Sequence, residues 1–336
     1  MGRKKKKEPG ALAKLGRWIA YVAMRAALAA LSAIPFGAAR VIGLAGARAF
    51  FVLDRRHRDI ALVNLRLAFP EKDEAWRRRV ARGSFENFGL MVAEVAHLRD
   101  LTPENAREHV IFENYEIYEK LKERGKGCFY VTGHVGNWEL LAHAHALVGR
   151  PFHAVVRPLD NPLLDDYLEK FRTSTGNRII DKKHGGARAI IAALRANEDV
   201  GILIDQYSRR SLGVYAPLFG IEASTTKGLA VMALRSGAPM VPVFVVRDPG
   251  PLRFRVLIFP EIDVSRTGHP ESDIRVTTAN INRAIETVVR MHPDHWLWGH
   301  RRWKNSPDVE GNIYAGGRLI RRAEGPERSE GRQESM

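Results

Sequence analysis

A single cysteine stands among the 336 residues. No internal disulfide can form, which suits a reducing compartment, and Cys128 reads as a small core residue of a strand rather than a nucleophile. Acidic residues are scarce relative to basic ones. The 38 Asp and Glu are set against 53 Lys and Arg, giving a net charge of +15 and a pI near 10.1. That excess implies an anionic partner: nucleic acid, an anionic membrane surface, or an acidic carrier or substrate. Several catalytic signatures are missing. There is no G-x-S-x-G nucleophile elbow, no G-x-x-x-x-G-K-[ST] phosphate loop and no H-E-x-x-H, so serine-hydrolase, P-loop and zincin chemistry find no support. Glu139 and His143 share a helix face, but His145, two residues from His143, points elsewhere, so no metal site and no cofactor is expected. No internal repeat is visible.

Long uninterrupted apolar runs are lacking too. Trp18 to Ile34 would span about 25 Å as a helix, short of a ~30 Å hydrocarbon core, and it carries Arg25 in its middle. Phe36 to Leu53 is broken by Arg40 and Arg48. Behind the basic run RKKKK at 3–7, this segment admits three readings: a signal peptide, a marginal span with the basic run inside, or two interfacial helices with snorkelling arginines. Membrane attachment at the cytoplasmic face is the reading taken forward.

What is present centres on CFYVTGHVGNWELLAHAHALVG, from Cys128 to Gly149. Four strand-formers open it, Gly133 and Gly136 flank His134, and from Asn137 the apolar spacing turns helical. His134 is therefore expected at the carboxyl end of a strand and Glu139 in the first turns of a helix, where open α/β sheets bind ligands. A histidine there, with a carboxylate five residues on, can act as a base held by its acidic partner. With 12 histidines, about 1.4 such pairs are expected by chance. Spacing alone thus decides nothing; the position after a buried strand carries the weight.

Residues 54–100 read as helices broken at Pro70, with basic residues at 77, 78, 79 and 82 forming a cationic face. After Thr102, strands alternate with helices. Strands are expected at 128–132, 152–157, 178–181, 200–205, 240–247 and 254–259, and helices at 137–148, 161–175, 185–198, 225–236 and about 271–291. The implied fold is α/β, with a mixed or mostly parallel central sheet flanked by helices and an N-terminal membrane-associated helical segment. The expected organisation is 1–53 for the basic terminus and membrane segment, 54–304 for the α/β domain, and 305–336 for a disordered tail. Three further stretches sit at strand ends: Arg157 in VVRPLDNP, Asp205 closing VGILIDQY, and Gly220, Thr225, Thr226 and Lys227 before a helix start that could bind an anion. Each has a bland reading as a cap or turn. WLWGHRRWK interleaves aromatic and basic residues, a pattern at home on nucleic acid or at a membrane interface.

Together these stretches resemble the bacterial lipid A biosynthesis acyltransferases, the lauroyl and myristoyl transferases of the wider glycerolipid acyltransferase superfamily. The likeness runs from RRHRDIALVNLRLAFP near residue 55 to HPDHWLWGHRRWK. HVGNWE looks like the family's His-x4-acid signature. The resemblance implies transfer of a fatty acyl group, without a metal, from a thioester on acyl carrier protein or coenzyme A to a hydroxyl of an anionic glycolipid. The place would be the cytoplasmic face of the inner membrane. It also implies His134 as general base with Glu139 as its partner, Arg172 falling where the family has a functional arginine and Asp205 matching its strand-end Asp; with Arg157, placed just past a strand, these two are the expected substrate-binding residues. No nucleic acid is then a partner. Two stretches depart from the family pattern: around the strand-end Asp, where enterobacterial members tend to carry a longer acidic element, the chain reads DQYSRR, and Leu218-Phe219-Gly220 stands for the Phe-Phe-Gly of many relatives. Other acceptors, a lysophospholipid or a glycosylated phosphoinositide, and a basic nucleic-acid-binding protein are the alternatives.

Overall fold

From the amino terminus the chain forms a helical pair before any strand. The structure, a computed structural model, describes residues 10–182 and 185–315. The basic run at 3–7 and residues 316–336 of the expected tail lie outside the described residues. Helices α1 (Ala11–Ser32) and α2 (Phe36–Leu53) are separated at Pro35, whose ring cannot continue a helix. Asp54 caps α3 (Arg55–Ala68) by accepting from the His57 amide, and Asp73 caps α4 (Glu74–Ala96) by accepting from the Trp76 amide. Of the expected cationic face, Arg77 instead closes the α3–α4 turn, donating to the carbonyls of Phe69 and Pro70. Arg78 and Arg79 are exposed.

α2 lies directly on α4 because both present glycine at the crossing. A Cβ on Gly43 would sit 2.5 Å from the Gly89 carbonyl oxygen, so the backbones touch. Ala39 and Ala47 are buried along the same seam, while Val41, Ile42, Val52 and Leu53 remain exposed. Among the described residues α2 is the one helix long and apolar enough to cross a membrane.

The α/β part follows in order: α5 (Ala106–His109), β1 (Val110–Glu113), α6 (Tyr115–Lys122), β2 (Phe129–Thr132), α7 (Trp138–Leu147), β3 (His153–Val156), α8 (Pro162–Thr173), β4 (Arg178–Asp181), α9 (Gly186–Arg195) and β5 (Val200–Leu203). Then come β6 (Gly213–Leu218), β7 (Ile221–Thr226), α10 (Gly228–Ser236), β8 (Met240–Arg247), β9 (Phe254–Ile258) and α11 (Pro270–Met291). The main sheet runs β1-β9-β8-β2-β5-β3-β4 and is parallel except where β9 meets β8. It is therefore a mixed, mostly parallel sheet, as the alternating pattern implied.

Strand periodicity sorts the core into two layers. Phe129, Val131, Phe244 and Val246 pack on one face with residues of α3, α4, α9, α10 and α11. Cys128, Tyr130, Val241, Val243 and Val245 pack on the other with Tyr118 and α7. Burial pushes the Cys128 thiol well up, consistent with its reading as an inert core residue. The six expected strands are present within about two residues of their expected ends; β1, β6 and β7 were not anticipated. β6 and β7 form a separate antiparallel hairpin whose two-residue turn is Phe219-Gly220, both at positive φ, +53° and +70°. Such a φ is unusual for a bulky residue; Phe219 is held there by the packed rings of Trp296, Trp298 and Trp303. The expected tail also starts later than Asn305. Val309 and Ile313 are buried, and Tyr314 donates to Asn64 Oδ1 at 2.6 Å.

Candidate active site

Strand register builds the centre of the site. Thr132 of β2 pairs with Leu203 of β5, so the residues two beyond each strand end, His134 and Asp205, emerge side by side at the carboxyl edge. Asp205 is wholly enclosed and accepts three hydrogen bonds: His134 Nδ1 at 2.8 Å, the His134 amide at 2.9 Å and Trp296 Nε1 at 2.8 Å. Between β2 and α7 the chain makes a tight turn. Gly136 has φ +60° and a Cβ there would fall 1.8 Å from the Val245 carbonyl oxygen, so only glycine can pass over β8 at this point. Asn137 then caps α7 by accepting from the Leu140 amide at 3.0 Å.

The turn is clamped from two sides. The segment 295–297 lies along it: the Gly136 amide donates to the His295 carbonyl, the Leu297 amide to the His134 carbonyl, and Val135 bridges to Trp296. From α4, Glu94 accepts from Asn137 Nδ2 at 2.9 Å and from two nitrogens of Arg247 at 2.5 and 2.8 Å. Asn87 Nδ2 donates to the His295 carbonyl and its carbonyl groups receive Arg247.

The imidazole's partner is thus Asp205, not the carboxylate five residues on. The sequence expectation that Glu139 orients His134 is corrected by this geometry. Glu139, in the first turn of α7, is gripped by Arg172 from the last turn of α8, with Nε at 2.9 Å and Nη2 at 2.6 Å. Asp205 reaches the imidazole because β5 is the neighbour of β2, whereas the Glu139 carboxylate is taken up by Arg172. Glu139 still acts on His134 at a distance. Burial works against the imidazolium, yet the Asp205 charge and hydrogen bond, with the Glu139 charge, raise His134 above its ordinary value near 6.5. Burial would push the Asp205 carboxyl up, but His134, by charge and by both of its N–H donors, holds it well below the usual carboxylate range. His134 Nδ1–H bound to a carboxylate leaves Nε2 with its lone pair outward, 3.5 Å from the Gln206 amide nitrogen.

The remaining expectations divide. Arg157 follows β3 at the same sheet edge but is 67% exposed, with an ion pair to Asp160 at 3.8 Å. Among the described residues no hydrogen bond ties it to the His134 group. Thr225 does not open an anion-binding helix start. It lies in β7, fully buried, accepting from Arg302 and donating to Asn282. WLWGHRRWK is also corrected: Trp296, Trp298, Arg302 and Trp303 are among the most enclosed side chains in the protein and face neither nucleic acid nor lipid. Its function is internal, because Trp296 holds Asp205. Desolvation by burial pushes His300 down to about 4, so it stays neutral beside that carboxylate. His143 stacks on Phe171, while His145 is buried against Tyr130 and Phe152. Trp296, Glu94, Arg247 and Gln206 escaped sequence reasoning. Only Trp296 carried a signal, misread as surface chemistry.

Residues 5–305 match the sequence profile of the bacterial lipid A biosynthesis acyltransferases. The chain belongs to that family. It is an acyltransferase. Among its relatives is the lipid A biosynthesis palmitoleoyltransferase of Escherichia coli K12, 28% identical over 261 residues, covering 77% of this chain and 83% of that one. The lauroyltransferase of the same organism is 29% identical over 256 residues, 76% of this chain and 81% of the relative. The myristoyltransferase is 24% identical over 246 residues, 73% and 75% respectively.

Proposed function

We propose that the protein transfers a fatty acyl chain from an acyl thioester, on acyl carrier protein or coenzyme A, to a hydroxyl of a lipid A precursor. The observation that carries the mechanism is the Asp205–His134 pair at the sheet edge, with Nε2 turned away from the carboxylate and facing the Gln206 amide. The acceptor hydroxyl gives its proton to Nε2 as its oxygen bonds to the thioester carbonyl carbon; the Asp205 carboxylate stabilises the imidazolium that forms. The tetrahedral intermediate expels the thiolate by breaking the C–S bond, and the thiolate takes the proton from Nε2. A thioester is already activated, so no acyl-enzyme is required. Arg172, held by Glu139, supplies positive charge beside the site for the developing oxyanion or a substrate anion. Arg157, free to reorient at the same edge, serves substrate binding. The three relatives carry different acyl chains in their names, so family membership leaves chain length open.

The test is purified full-length protein with defined acyl donors and glycolipid acceptors, read by mass spectrometry. One added acyl chain on a phosphorylated lipid A precursor is the expected product. Acylation confined to a lysophospholipid or a glycosylated phosphoinositide would replace this acceptor.

The site of action is proposed to be the cytoplasmic face of the inner membrane. The exposed apolar face of α2 and the exposed Leu12, Leu15, Trp18 and Ile19 of α1 support attachment there. Full-length protein should therefore sediment with membranes after a high-salt wash and be released by detergent. Recovery in the soluble fraction without detergent would end the attachment reading.

A further inference from the structure

A cleft of about 160 Å³ lies where α1 meets α4 and α8, lined by Arg25, Leu28, Val95, Arg99, Leu168 and Phe171 among others. Its floor is apolar, and an arginine on α1 and another just past α4 supply its charge. Arg25 donates to the Tyr21 hydroxyl at 3.0 Å, and its guanidinium lies 5.0 Å over the Tyr167 ring. Among the described residues neither Arg25 nor Arg99 has a carboxylate partner, whereas Arg172, one residue beyond Phe171, has Glu139. Phe171 stacks on His143, one helical turn along α7 from Glu139, so the cleft neighbours the Glu139–Arg172 pair. Arg25, Leu28, Ala29 and Ser32 of α1 line it, and Val22 and Trp18, one and two turns before Arg25 on that helix, are exposed.

We infer that this cleft is the binding site for the acceptor's phosphate and the acyl chain next to it, an inference that rests on the acceptor proposed above. Two guanidinium groups without acidic partners suit a phosphate, which each can hold through paired N–H donors. The apolar floor suits hydrocarbon. One wall is the amino-terminal helix, whose exposed Trp18, two turns before Arg25, is a side chain at home at a membrane interface, so the ligand enters from lipid rather than from solution. That separates it from a soluble acyl carrier protein. α1 is then a wall of the substrate site as well as an anchor, and Asn161 Nδ2 pins it to α8 by donating to the Arg17 carbonyl at 2.9 Å.

The experiment measures binding without turnover. Full-length protein in detergent micelles is titrated with a phosphorylated lipid A precursor and with the same lipid dephosphorylated, and bound lipid is counted by native mass spectrometry. The parent should bind the phosphorylated lipid at least about tenfold more tightly. Arg25→Gln combined with Arg99→Gln should abolish that preference, the double lysine variant should keep part of it, and Arg78→Gln should keep all of it. Equal binding of both lipids by the parent, or an undiminished preference in the double glutamine variant, overturns the site. Acyl transfer is then measured on the same lipids. Binding preference without acylation supports the site and counts against the acceptor reading alone. A rise confined to the donor's KM in the double variant would assign the arginines to the donor and overturn the inference.

Discussion

Replacing His134 with alanine is expected to lower turnover by about 10²–10⁴-fold while leaving donor and acceptor binding largely intact. The structure sharpens this through the partner it gives the imidazole. Asp205→Asn keeps the shape but puts an amide N–H where Asp205 now accepts from His134 or Trp296, so the ring loses its fixed tautomer and its counter-charge. Its cost should approach that of His134→Ala, and the two together should cost little more than either, because groups acting as one unit are not additive. Glu139→Gln should cost less, since Glu139 acts through Arg172 and through its field. Were Glu139→Gln the more damaging change and Asp205→Asn nearly neutral, the Asp205–His134 assignment would be wrong.

The pH profile gives an independent reading of the same pair. The base must be neutral, and Asp205 and Glu139 raise the His134 value above about 6.5. kcat/KM should thus fall as pH drops through that raised value. Removing the Asp205 charge takes away a stabiliser of the imidazolium, so in Asp205→Asn the acid limb should move to lower pH. A limb unmoved by Asp205→Asn would mean that some other group titrates.

Arg247→Ala is expected to be the most damaging change to stability away from the catalytic pair. It leaves Glu94, whose side chain is 3% exposed, without its counter-ion, and breaking such a buried pair costs about 3–5 kcal/mol. Replacing both partners together, Glu94→Leu with Arg247→Met, should recover most of that loss, because no charge is then stranded. Turnover should not recover, because Asn137 keeps its helix cap but loses Glu94, and the turn carrying His134 is released from α4. Denaturant unfolding and turnover measured on both variants separate the two effects. A loss under about 1 kcal/mol in Arg247→Ala would show that the network does not hold the turn.

Local pattern was enough for the parts whose physics is local. The buried run at 240–247, bounded by turn residues, is a central strand wherever it pairs, and the glycine-flanked FYVTGHVG has to end a strand and turn. Asp54, Asp73 and Asn137 cap helices through bonds made within three residues. His134 at a strand's carboxyl end followed from that alone. Where pairing crosses the chain, the sequence was mute or misleading. The β6–β7 hairpin turns on Phe219 at positive φ, a conformation its own preference disfavours and its distant neighbours stabilise, the indoles by packing and Glu286 by accepting from its amide. Tryptophans and arginines at 296–303 look like surface chemistry until the core closes over them. Glu139, nearest in sequence, lost the imidazole to Asp205, 71 positions away, because β2 and β5 are neighbours in register, and register belongs to the sheet.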